Sequence, residues 1–439
     1  MSIAVEALFT TALGLQAPWI VSNVDLNTVK RRIDFEVRCE AKHMECPACG
    51  VDGQGVHDRI KRSWRHLDFF QFEAWLHAEV PRIDCSACGK TTQVGVPWAR
   101  PGSGFTLLFE ALALSLCQTL PVAQAANQLR VESKRLWRRI VHYVGIARQR
   151  DEMSGVHVVG IDETSLKKGH NYVTVVHDLE AKRLLFMTPG RDHETVAAFK
   201  QELVAHGGVA DNIKHVCMDM SAAYAKGVAE SLPKAQISYD RFHVIALANT
   251  AMDEVRREEM RTRQKTVRAA LGEDGKAVKA VMWGMRKNPN GWTYNQITAM
   301  HWLQRSNLKS ARAWRLKQAL REVYREAVTA NCAVKAEQVL LGWISWAHRC
   351  RLEPFKRLAN TLKERLPGVV RGMLDGRSNA YVEAMNGLLQ QTKRAARGFR
   401  TVDNFIAIAY LRMAKLTHLP ANPFQAAVPL DFGVTRHVA

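Results

Sequence analysis

The 439-residue chain carries 62 Lys and Arg against 42 Asp and Glu, a formal net charge of +20 and a sequence pI near 9.7. Its hydrophobic content of 47% supplies core material for two to four domains and excludes a disordered tail. The surplus of positive charge points to a polyanion, nucleic acid foremost. Reading from the N-terminus, no Lys or Arg precedes Lys30 and Glu6 interrupts the apolar start, which argues against a signal peptide. Residues 1–100 read as strands punctuated by turns. Within them, 46-CPACG-50 and 85-CSACG-89 form two matched knuckles, Cys46/Cys49 and Cys85/Cys88. Two residues between cysteines let both thiolates reach one tetrahedral ion, and the following Gly tolerates a positive-φ turn. These residues predict a structural Zn2+ with no open coordination position, in a β-rich domain whose insert around residues 64–80 spans the gap between the pairs. The remaining thiols, Cys39, Cys117, Cys217, Cys332 and Cys350, read as packed core residues. CxxC pairs with an odd total of nine cysteines suit a reducing cytoplasm, not a disulfide framework.

The apolar stretch 106–121 is broken by Glu110 and Gln118 and closed by Pro121, too short to cross a bilayer. Residues 101–150 then read as a helix–turn–helix domain. Ala123, Ala126 and Leu129 give the apolar face of a short helix, Arg130–Glu132 a turn, and Ser133 a candidate N-cap. Leu136, Ile140 and Val144 line the buried side of the second helix. Lys134, Arg135, Arg138 and Arg139 are expected to project outward, a face suited to the major groove and its phosphates.

From 156 to 240 the pattern is strand (156–162), strand (171–178), strand (183–188), helix (192–206), strand (213–219), helix (221–232), strand (235–240). Three strands, a helix and a fourth strand ending in an acid is the order of an RNase H-like fold. Its first and fourth strands lie side by side, so Asp162 and Asp219, each closing an apolar run, are expected to converge. Two carboxylates that close repel unless divalent cations sit between them. Strand alternation turns Glu163 away. Residues 245–370 read as a basic, Trp-dotted helical segment. After it, 377-RSNAYVEAMNGLLQQTKRAARGFR-400 places Asn379, Glu383 and Asn386 on one helical face behind Ser378 as N-cap, with Lys393 and Arg397 continuing the stripe. Glu383 is the candidate third ligand.

Taken together, the two knuckles, the helix–turn–helix, 160-GIDETSLKKGHNYVTVV-176, 217-CMDMSAAY-224, 239-YDRFHV-244 and 378-SNAYVEAMNGLLQQTKRAARGFR-400 resemble the ISL-three family of bacterial insertion-sequence transposases over roughly residues 40–415. The resemblance implies a DDE transposase that binds terminal inverted repeats and cuts and joins double-stranded DNA at transposon ends and target. Its triad would be Asp162, Asp219 and Glu383, with two Mg2+ per active site and Mn2+ as the alternative ion. One ion would activate the attacking water and the other stabilise the leaving 3′-oxygen. Asp240 and His243 belong to the family pattern, His243 either contacting the scissile phosphate or serving as a hydrogen-bonder at a strand-to-helix turn. The expected architecture is a multidomain α/β chain. It comprises a zinc-ribbon domain (1–100), a helix–turn–helix domain (101–150), an RNase H-like core (151–244), a helical insertion (245–370), the last core helices (371–419) and a tail (420–439). A homodimer or higher oligomer on DNA and a cytoplasmic, nucleoid-associated location are expected, with no membrane partner. Two other readings remain open: a zinc-ribbon and helix–turn–helix regulator that binds without cutting, and a structure-specific nuclease on the same fold.

Overall fold

The computed structural model describes residues 4–167, 171–262, 265, 275–375 and 380–425. The chain is a mixed α/β protein that divides into two compact units, Met1–Arg148 with the residues from Leu416 onward, and Gln149–Lys415.

In the first unit, α1 (Val5–Ala12) precedes the strands β1 (Trp19–Asn27), β2 (Arg32–Cys39), β3 (His43–Met44), β4 (Gln54–Arg65), β5 (Glu73–Asp84) and β6 (Thr91–Gln93). They form one sheet in the order β1-β2-β5-β4-β3, with β6 paired to β5. Alternation builds its core. Ile33, Phe35, Val37 and Cys39 of β2 and Ala74, Leu76, Ala78 and Val80 of β5 all point inward. Trp19 and Trp64 each meet Trp98 edge-on. The first forty residues, read from sequence only as strands and turns, thus supply a helix as well as a hairpin that widens the ribbon's sheet. Three helices follow: α2 (Leu107–Thr119), capped by the Thr106 hydroxyl, then α3 (Val122–Gln128) and α4 (Ser133–Gln149).

In the second unit, β7 (Val158–Lys167), β8 (Asn171–Asp178) and β9 (Arg183–Pro189) form an antiparallel meander. After α5 (His193–Ala205), β10 (His215–Met218) pairs parallel to β7; after α6 (Ala222–Ser231), β11 (Gln236–Tyr239) pairs parallel to β10. The order is β11-β10-β7-β8-β9, so the first and fourth strands of this unit are neighbours, as the element order predicts. A helical array fills the chain between the sheet and its last helices: α7 (Arg241–Thr262), α8 (Gly275–Arg286), α9 (Tyr294–Arg305), α10 (Lys309–Ala330), α11 (Ala333–Arg349), α12 (Glu353–Glu364) and α13 (Leu366–Leu374). It shares one hydrophobic core with the sheet. Two buried charges secure it. Glu259 accepts the first amides of α10, from Lys309 and Ser310, at 2.7 and 2.8 Å. Lys317 donates to the last carbonyls of α8, 2.6 Å from Met285 O. Each ion sits at the helix end that its sign stabilises. Finally, α14 (Ala380–Ala395) lies along β7 and α15 (Val402–Met413) packs on β9, where Tyr410 Oη accepts from Met187 N at 3.1 Å. Among the described residues, no helix is long and apolar enough to cross a membrane.

Candidate active site

The four knuckle cysteines meet. Their sulfurs lie within 4.8 Å of one another, Cys46 to Cys88 at 3.9 Å and Cys49 to Cys85 at 3.5 Å. Thiolates around Zn2+ at about 2.3 Å stand roughly 3.8 Å apart in a tetrahedron, so the donor set fits zinc in both chemistry and spacing. The local fold explains it. Gly50 and Gly89 take φ of 76° and 66°, and each knuckle closes by a Gly amide donating to the first cysteine's carbonyl. The amide of Ala48 points at Cys46 and holds its thiol down at about 6. The long insert is the β4–β5 hairpin, which carries one knuckle at each end. Cys332 departs from expectation: it is exposed rather than packed.

The helix–turn–helix frame forms where expected, but two details differ. Ala123 faces solvent, and Val122, Ala125, Ala126 and Leu129 make the apolar face instead. Of the four cations of α4, only Lys134 and Arg138 are exposed. Arg135 and Arg139 do not project outward. Arg135 lies over the Phe105 ring, 3.9 Å from its centroid, and donates to Gly104 O. Arg139 pairs at 2.9 Å with Glu110, which is fully buried and also takes Arg100, Ser103 and Tyr143 as donors. A buried carboxylate needs such partners, and it draws in Arg139, which face periodicity alone assigns to solvent. Arg139→Ala is therefore expected to lower unfolding stability by about 3 kcal/mol in a denaturant titration. Lys134→Ala with Arg138→Ala should leave stability within about 0.5 kcal/mol, weaken DNA binding, and reduce the slope of log K against log salt by about 2.

In the second unit the register places the acids. Ile161 pairs with Met218, and Met218 with Tyr239, so Asp162, Asp219 and Asp240 are the next residues along three neighbouring parallel strands. Adjacent strands lie about 4.8 Å apart, which makes the three aspartates a row at one sheet edge. β10 and β11 stop there because the aspartates turn the chain. Asp219 Oδ1 accepts the Ser221 amide at 2.9 Å before α6, and Asp240 Oδ1 accepts the Phe242 amide at 2.8 Å before α7. Asp162 differs from its sequence expectation. It does not end its strand: β7 runs on to Lys167, held by β8 alone beyond Ile161. Thr164 and Ser165 keep extended pairing with Val173 and Tyr172, which an apolar-run criterion overlooks.

The Asp162 carboxyl is pushed up to about 6, first by burial and further by the Asp219 charge, against the Glu163 amide and the nearby His243. Its oxygens accept from Glu163 N at 2.8 Å and from Asn386 Nδ2 at 2.7 Å. Glu163 pairs with Arg191 at 3.8 Å, and burial raises its carboxyl, with the Asp219 charge adding to that shift. From Asn386 onward α14 follows β7: Gln390 donates to Thr164 and Ser165, and Lys393 donates to Ser165 O at 2.8 Å. Toward the other end of α14, ligand atoms of Glu383, Asp240 and His243 all come within 4.8 Å of one another. Burial and the Asp240 charge push the Glu383 carboxyl up. Glu383 thus stands by Asp240 and His243, while Asn386, one turn on, reaches Asp162. Sequence spacing puts Asp240 and His243 beside the site only through the family pattern; the strand register makes Asp240 a member of the row. Ser378 and Asn379 lie outside the described residues. Arg397 sits at φ 56° after α14, lining a cavity with Arg400 and Leu166.

Gly160 permits this docking. A Cβ there would come 2.6 Å from Val382 Cγ2 of α14 and 2.9 Å from Leu179. Gly160→Val is expected to displace α14, costing about 1–3 kcal/mol of stability and reducing any activity that depends on Glu383 and Asn386. A variant with unchanged thermal stability would contradict the close packing.

Comparison with known proteins gives this arrangement its class. The family profile described as a transposase matches residues 159–409; that of the helix–turn–helix domain of transposase family ISL3 matches 95–144, and that of the zinc finger of transposase IS204/IS1001/IS1096/IS1165 matches 42–88. The chain belongs to the ISL3 family of transposases and is a DNA transposase with a DNA-binding helix–turn–helix domain. It is similar to the transposase for insertion sequence element IS1557 of Mycobacterium tuberculosis, at 32% identity with 91% of this chain and 95% of that protein covered. It is also similar to the transposase for IS1001 of Bordetella parapertussis, at 27% identity with 85% and 90% covered.

Proposed function

We propose that the chain binds the terminal inverted repeats of an insertion sequence and performs divalent-metal-dependent cleavage and strand transfer at its ends. The observation that carries this reading is the row of carboxylates on neighbouring strands, Asp162 within β7 and Asp219 and Asp240 just past β10 and β11, with Glu383 of α14 beside Asp240. The strand order 3-2-1-4-5 of this unit, antiparallel then parallel, supports an RNase H-like core, and the helices of residues 245–370 are an insertion into it. Asp162, Asp219 and Glu383 are the proposed catalytic ligands. Asp162 and Asp219 stand on neighbouring strands, and burial first, with the Asp219 charge adding, raises the Asp162 carboxyl, a setting in which a divalent cation would favour the ionised pair. Divalent ions bound there, Mg2+ in the first instance, would activate the attacking water and neutralise the leaving 3′-oxygen.

The remaining roles fall to the chain itself. Asn386 fixes the Asp162 carboxylate through its amide. Gln390 and Lys393 clamp α14 to the β7 backbone, so Lys393 holds the site together before it can serve DNA. Lys134, Arg138 and Arg397 remain the proposed phosphate contacts, and zinc holds the two knuckles. The domain divisions at residues 100, 150, 244, 370 and 419 are proposed on the same basis, with a homodimer or larger assembly on DNA in the cytoplasm. A binding-only regulator would not need the carboxylate row, and a structure-specific nuclease would not prefer element ends. Incubation of the protein and Mg2+ with a plasmid carrying both ends should give cuts at those ends. Equal cutting of branched DNA lacking the ends would favour the nuclease, and binding without cutting the regulator.

A further inference from the structure

The carboxylate row has a part that a three-acid site leaves unused. Asp240 is almost wholly buried at its outer end, and its Oδ1 already turns the chain into α7. His243, in the first turn of α7, keeps its Nε2 buried without a hydrogen-bond partner. The ligand atoms of Asp240, His243 and Glu383 lie within 4.8 Å of one another, close enough to share one ion at about 2.0–2.2 Å from each. Asp162 and Asp219 are not part of that set, although they occupy the inner positions of the same row. Asn386 Oδ1, one helical turn from Glu383, is likewise buried without a partner. Two buried polar atoms without a partner beside these carboxylates are groups that a hydrated cation would satisfy.

We propose that the ion held by Glu383 is completed by His243 and Asp240, a mixed nitrogen–oxygen site that favours Mn2+ or a similar transition-metal ion over Mg2+. This rests on the proposed metal-dependent reading of the site and refines its second ion. Imidazole nitrogen is a poor ligand for Mg2+, which demands oxygen and keeps its waters, and a good one for first-row transition metals. Asp162 and Asp219 form the all-oxygen half, indifferent between Mg2+ and Mn2+. His243 is then a ligand rather than a hydrogen-bonder at the strand-to-helix turn.

The test is electron paramagnetic resonance of Mn2+ bound to the full-length protein, with histidine nitrogen coupling as the readout. Wild type should show that coupling, and growth on 15N-histidine should replace the 14N signal by 15N with no substitution in the chain. The Asp162→Asn/Asp219→Asn double variant should still hold one Mn2+ with nitrogen coupling. His243→Ala should lose the coupling and weaken that ion by about tenfold or more, while binding of Mg2+, measured by competition, changes less than about twofold. Mn2+ bound to wild type without histidine coupling, or coupling that survives in His243→Ala, overturns the inference. Absent coupling in a protein that still cuts element ends removes this inference alone. Present coupling in a protein whose Asp162→Asn variant still cuts removes the catalytic reading instead.

Discussion

Asp162→Asn, Asp219→Asn and Glu383→Gln are each expected to abolish end cleavage, by a thousand-fold or more in rate, while leaving DNA affinity within about twofold. Each substitution preserves shape and removes one negative charge from a site whose transition state needs bound cations, a loss of at least about 4 kcal/mol. Asp162 and Asp219 follow directly from the β7–β10 register, and Glu383 from the way α14 crosses it. Glu163→Gln serves as the comparison. Its carboxylate pairs with Arg191 and reaches the row only through space, so it should cost about tenfold at most. Single-turnover cleavage of pre-bound ends separates chemistry from binding. A Glu383→Gln variant that cuts at the wild-type rate would move the third ligand elsewhere, and Asp240 would be first in line.

Removal of zinc should have the next largest effect, and a local one. Freshly purified protein is expected to contain about one zinc per chain, and Cys49→Ala or Cys88→Ala to lose it, because metal-free thiolates at this spacing repel and the knuckles have little else to hold them. The core of the first unit, from Leu13 through Trp98, does not include the cysteines of the knuckles. The hairpin ends, β3 and β6 should therefore lose amide protection while the paired centre of β2, β5 and β4 keeps it. Hydrogen exchange before and after chelation reads this directly. Exchange spreading through Phe35 and Leu76 would mean that the zinc supports the whole sheet.

Much of this was legible in the residues because the signals are local. A CxxCG unit fixes its own turn and donor geometry. An apolar run closing on Asp before a Ser-capped helix names both the strand and its end, as at 216–222. The strand–strand–strand–helix–strand order then determined which neighbours meet. What escaped depended on partners far along the chain. Arg135 and Arg139 occupy a helical face that periodicity assigns to solvent, and only the burial of Glu110, 29 residues before Arg139, draws that arginine inward. The continuation of β7 past Asp162 rests on cross-strand bonds to β8 and on the α14 side chains that clasp Thr164 and Ser165, none of which an apolar pattern records. The place of Asp240 in the row needs the β10–β11 register, and that Glu383 meets Asp240 and His243 needs the path of α14 over it. The N-terminal region reads as strands, but the pairing of its hairpin, with Ile33, Phe35 and Val37 inward and Arg32, Asp34 and Glu36 between them, depends on β1 and β5 and is not recorded in the local pattern.

The most direct measurement of the central claim, that carboxylate-held cations cut DNA at the element's ends, uses a duplex in which the leaving 3′-oxygen of the scissile phosphate is replaced by sulfur. With Mg2+, which binds sulfur poorly, cleavage at that position is expected to fall about tenfold or more relative to the oxygen substrate, and Mn2+ should restore it. Asp162→Asn should cut neither substrate with either ion. Equal rates in Mg2+ and Mn2+ on the sulfur substrate, or cutting by Asp162→Asn, would contradict a cation on the leaving group held by this site.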